Sequence, residues 1–161
     1  MERNASHTPI RRAVTRIAGL LLFASALPVA AGSAGERPTP KTGTDHTGEP
    51  RVGIASFYHD RFAGRPMANG KPMQPDQDNA ASRTLPLGTT ARVTNLENGQ
   101  STVVTIEDRG PYVDGRIVDL SPASAEAIGL TEEQGLTKVE VAPIRVPLPD
   151  GSAIMGAGAQ P

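Results

Sequence analysis

The residues best equipped for chemistry in this 161-residue chain crowd into one stretch, TIEDRGPY, from Thr105 to Tyr112. A β-branched run leads into a carboxylate and a guanidinium, and a Gly-Pro pair then stiffens the chain and ends the strand. Side chains alternate along a strand, so Val104, Ile106 and Asp108 are expected on one face, Glu107 and Arg109 on the other. Asp108 would then stand at the apolar rim where the strand stops. A carboxyl there is suited to general-acid work, whereas the neighbouring guanidinium would hold it charged. A third role, in which Asp108 and Arg109 only hydrogen-bond adjoining loops, is equally open to these residue types.

Whatever the role, a scaffold must present Asp108. The apolar runs around it are short, β-branched and separated by turn residues, which predicts strands over Val52 to Tyr58, Thr90 to Leu96, Ser101 to Glu107, Arg116 to Leu120 and Lys138 to Val146. Glu97-Asn98-Gly99-Gln100 joins the second and third, and Asn-Gly favours the backbone of a tight hairpin. One helix is predicted in SPASAEAIGL, with Ser121 as cap, Pro122 in the first turn and Gly129 at the end. Strands this short with one helix, in under about a hundred residues, give a mainly β fold, a small barrel. The Gly-, Pro- and polar-rich stretch from Asp60 to Gly88 is expected to wall a cleft.

Composition limits the rest. With 37% hydrophobic and 3% aromatic residues the chain can bury one modest core. A net charge of -1 gives no case for nucleic acid as a partner. There is no cysteine, hence no disulfide, thiolate metal site or lipidated cysteine. His7 and His46 lie outside the folded unit, and His59 has no second histidine to share a metal with, so no metal and no cofactor are expected. The basic start followed by IAGLLLFASALPVAA predicts a signal peptide over residues 1–31, shorter than the roughly 20 residues of a membrane span and broken by Pro28. Residues 32–50 read as a flexible linker, 51–146 as the folded domain and 147–161 as a disordered tail. The product is expected to be free in the periplasm or secreted.

GIASFY, FAGRPMANG, NAASRTLPLGTTARVTNLENGQS and EDRGPYVDGRIVDLSPASAEAIGL, in that order and spacing, resemble the RlpA-like double-psi β-barrel family of bacterial envelope proteins. The resemblance covers Val52 to Val146. It implies a six-stranded double-psi barrel, one strand more than the pattern gives, with the extra strand between Asp60 and Gly88. It also implies peptidoglycan glycan strands as partner and lytic transglycosylase activity, which cuts between N-acetylmuramic acid and N-acetylglucosamine and leaves a 1,6-anhydro end. No division or envelope protein is identified as a partner.

Asp108 matches the family's Asp-Arg-Gly-Pro aspartate and is the expected acid/base. Arg109 and Tyr112 would line the cleft, Tyr58 would stack on a sugar, and Asn69 and Gly70 would set a loop turn with a secondary sugar contact. Two positions depart from the pattern: Lys71 stands for a glutamate, which would put a cation near Asp108, and Ser82 stands for a histidine. Asp119 is expected to fix its adjoining loop. The departures keep a non-catalytic peptidoglycan-binding or septal protein open as the alternative. An expansin-like protein that loosens polysaccharide without cutting ranks below both, because the chain has three Phe, two Tyr and no Trp with which to build a platform.

Overall fold

Six strands close into a ring in the computed structural model of the protein, which describes residues 43–160. They are β1 (Arg51–Phe57), β2 (Asn79–Ala81), β3 (Thr90–Asn95), β4 (Ser101–Asp108), β5 (Arg116–Leu120) and β6 (Thr137–Pro147). Their circular order is β1-β5-β2-β4-β3-β6, and β6 pairs back onto β1. β1 with β5 and β2 with β4 run parallel; the other ring pairings are antiparallel. This is the six-stranded double-psi architecture, and β2 is the strand expected between Asp60 and Gly88.

Alternation explains the interior. Ala91 and Val93, Val104 and Ile106, Val118 and Leu120, Val139 and Val141 are all buried at every second position of their strands. Ala55, Ala80 and Ala91 sit among these branched side chains in a single core cluster, so small residues offset large ones in a narrow barrel. That is how a chain so poor in aromatics fills its core. Helix α1 (Pro122–Ala127) starts where the cap predicted it, with Ser121 accepting from the Ser124 N–H; Ala125, Ile128 and Leu130 join the same core.

Two expectations are corrected at the margins. The tail from residue 147 is not disordered: β7 (Ala153–Met155) adds antiparallel to β6. Composition misled because the Gly-rich run is small for a packing reason: a Cβ on Gly158 would lie 2.2 Å from the Ala142 carbonyl oxygen, and one on Gly156 2.3 Å from that of Pro143. The described end of the expected linker is also packed. Asp45 is buried and ion-pairs with Arg51 at 2.6 Å, and its N–H donates to the Thr84 carbonyl. His46 Nδ1 lies 3.1 Å from the Pro147 carbonyl oxygen, and Ala157 N–H donates to Gly48. The two segments thus clasp each other on the barrel wall. The expected signal peptide, residues 1–31, lies outside the described residues.

Candidate active site

One row of paired residues crosses four strands. Ser56 of β1 pairs with Asp119 of β5, Asp119 with Ala81 of β2, and Ala81 with Asp108 of β4. At the usual strand spacing the two aspartates are roughly 10 Å apart at Cα, with Ala81 the residue between them in the row.

Asp108 does not lie on the face its parity predicts. Ala80 is in register with Ile106 but Ala81 with Asp108, so Glu107 is an extra residue in β4. Such a bulge turns the residues beyond it to the opposite face. Ile106 accordingly packs in the main core, while Asp108 bonds Tyr58, which belongs to a separate cluster with Met67, Met73 and Ala81. The carboxylate is on the outside of the barrel wall, under the segment that links β1 to β2.

That segment grips the carboxylate. Oδ2 accepts from the Tyr58 hydroxyl at 2.9 Å; Oδ1 accepts from the N–H groups of Ala68 and Arg109, each at 2.8 Å. A carboxylate has about four acceptor positions, so the unused one is on Oδ2. The Ala68 donor is placed by a tight reversal: Pro66 bridges Pro72, Met67 N–H donates to the Lys71 carbonyl, and Asn69 Oδ1 accepts from Lys71 N–H. Asn69 therefore sets the turn as expected. Lys71 does not face Asp108: its ammonium pairs with the half-buried Glu107 at 2.9 Å.

Three other expected site residues have different work. Tyr58 is 8% exposed and edge-on to Phe62, with ring centroids 5.9 Å apart, so it holds Asp108 and offers no face to a sugar. Burial, followed by the hydrogen bond and charge of Asp108 and the charge of Asp119, pushes its phenol far above the ordinary range; it stays a donor. Ser82 is buried and its Oγ accepts from the N–H groups of Thr84 and Leu85. Arg109 Nη1 donates to the carbonyls of Ser82 and Leu85 at 3.1 and 2.7 Å, which ties the strand end to the same turn. Tyr112 is 76% exposed and remains available to ligand. Gly110, at φ +139°, lies between its ring and Asp119 Oδ2, a backbone conformation that side chains disfavour.

Asp119 is the residue that sequence reasoning undervalued. Ser56 Oγ donates to its Oδ1 in a short hydrogen bond, and Arg116 reaches Ser56 at 3.4 Å. Burial raises its carboxyl above the usual range; the Ser56 bond and the Arg116 charge oppose this, and the Asp108 charge reinforces it. The signal was present in RIVDL: Val118 and Leu120 take the core parity, which turns a β-disfavoured aspartate outward beside Asp108. The site thus holds two carboxyl groups in unlike settings, one gripped by three donors and one pushed toward its neutral form.

A family model described as "Lytic transglycolase" matches residues 51–141. The probable endolytic peptidoglycan transglycosylase RlpA of Nostoc sp. is 49% identical over 96 residues, which are 58% of this chain and 24% of that protein. The endolytic peptidoglycan transglycosylase RlpA of Haemophilus influenzae is 40% identical over 112 residues, 70% of this chain and 39% of that one. This chain therefore spans well under half the length of either. Among solved structures, the Streptomyces papain inhibitor aligns with a TM-score of 0.48 at 25% identity, covering 62% of this chain and 97% of the inhibitor. A Clavibacter michiganensis expansin aligns with a TM-score of 0.47 at 21% identity, covering 62% of this chain and 52% of the expansin.

Proposed function

The chain belongs to the lytic transglycolase family, and from that premise we propose that it cleaves peptidoglycan glycan strands between N-acetylmuramic acid and N-acetylglucosamine, leaving 1,6-anhydro ends. The observation that carries this reading is the pair of unlike carboxyl groups across Ala81. The reaction closes a bond from the muramyl 6-oxygen to C1 as the bond from C1 to the leaving sugar's oxygen breaks. Asp119, whose carboxyl burial raises above the ordinary range, supplies the proton to the leaving oxygen. Asp108 receives the proton of the 6-hydroxyl on Oδ2, the oxygen with room for it. Tyr58, Ala68 and Arg109 fix the carboxylate plane so that no reorientation is needed as charge develops. Tyr112 supports the glycan from the open side. The relatives' names, which refer to peptidoglycan, agree with this substrate. Removal of residues 1–31 as a signal would bring the domain to that substrate in the envelope.

The test is a digest of peptidoglycan, before and after removal of its peptides, read by mass spectrometry. The parent should release anhydro-muramyl products, and Asp108→Asn should release them at least about a hundredfold more slowly, the loss general acid-base catalysis typically accounts for, while still cosedimenting with glycan. Binding without products from the parent would overturn the reading in favour of a barrel that holds the wall without cutting it.

A further inference from the structure

The segment between β1 and β2 carries a cation pair that the proposed reaction leaves unused. Arg61 and Arg65 both place their guanidinium carbons over the ring of Phe62, 5.1 and 5.7 Å from its centroid. Both are exposed, and neither meets a carboxylate among the described residues. Two like charges held at one ring repel each other, and an anion shared between them would relieve this.

The pair is held in place from below. Phe62 stands edge-on to Tyr58, and Tyr58 donates to Asp108, so the guanidinium groups are two rings away from the reacting carboxylate. Backbone bonds from Phe62 N–H to His59, from Arg65 N–H to Phe62 and from Met73 N–H to Arg65, at 2.9, 3.0 and 2.8 Å, fix the turn that spaces them. Stacking on an aromatic ring orients a planar guanidinium and leaves its N–H fork free, the geometry that takes a carboxylate in two parallel hydrogen bonds.

Resting on the proposed glycan-cleaving function, we infer that Arg61 and Arg65 form a carboxylate-reading subsite that selects glycan bearing anionic substituents over neutral glycan. The carboxylate can be the muramyl lactyl group, free once peptides are removed, or one from an attached stem peptide. The Phe62 ring makes the pair rigid and Tyr58 couples its position to Asp108, so recognition of the carboxylate sets the register of the strand over the catalytic row.

The full chain carrying Asp108→Asn, which leaves glycan intact, would be titrated with three soluble probes: peptide-stripped strands, the same strands with their carboxylates amidated by methylamine, and peptide-bearing strands. Stripped strands should bind roughly tenfold more tightly than amidated ones, the size of two exposed charge contacts, and the gap should shrink as salt rises. Adding Arg61→Gln and Arg65→Gln should abolish the gap and leave affinity for amidated strands unchanged, which a merely structural role for the arginines would not do. Tight binding of peptide-bearing strands as well would show that a stem carboxylate serves the subsite besides the lactyl one. Equal affinity for stripped and amidated strands overturns the subsite alone; binding to none of the three overturns the subsite together with the glycan-cleaving function.

Discussion

Asp119 shows how much of this site is decided by environment rather than residue type. Its carboxyl is raised, so the folded protein favours the neutral form more than the unfolded chain does. The associated stability is fully present below the ordinary aspartate value of about 3.9 and is lost as pH rises through the raised value. Asparagine keeps an oxygen for Ser56 and removes the carboxyl whose ionisation burial disfavours. Asp119→Asn should therefore melt at a higher temperature than the parent at pH 7, and the difference should close as pH falls toward about 4. Thermal unfolding at both pH values checks this; a constant difference would mean that the carboxyl is not strained by burial. At this scale the sequence was legible for Asn69, which sets its turn, and for the place of Asp108 at the end of β4 but not for its face, which the bulge reverses. It was not legible for Tyr58, Lys71 and Ser82, because their partners, Asp108, Glu107 and the Thr84-Leu85 backbone, are set by a bulge and a turn that residue identity does not announce.

The elements divide in the same way. The hairpin at Asn98-Gly99 and the capped helix have local causes and were predicted close to where they stand. β2 is three residues long and owes its existence to β4 and β5 on either side, too short a run for periodicity to reveal. β7 was hidden by composition, and the packing of the 3-10 turn that follows it, Ala157–Ala159, makes a sharp prediction. Gly158→Ala would drive a methyl into the Ala142 carbonyl, an overpacking that costs about 1–3 kcal/mol, whereas Ser152→Ala, at an exposed position nearby, should change stability much less. Chemical denaturation of the two variants decides it, and equal stability would show that the turn Ala157–Ala159 does not press on β6. The bulge in β4 is the element that sets the face of Asp108. Were Glu107 paired regularly instead of bulged, the alternation would carry Asp108 toward Val104 and Ile106 and bury it in the barrel.

Across the whole molecule, the mainly β class and the modest main core came from short β-branched runs and few aromatics. Ring order did not, because parallel pairings such as β1 with β5 join segments far apart in the chain and depend on the fold as a whole. The row Ser56, Asp119, Ala81 and Asp108 is assembled from four strands, and no two of its members are neighbours in sequence. On the proposed glycan-cleaving function, an unclosed barrel would therefore be inert in the way a zymogen is, with ring closure in place of proteolytic activation. Loss of glycan cleavage in denaturant should coincide with the loss of β-sheet circular dichroism and not precede it, so that a chain still being folded carries no cutting edge.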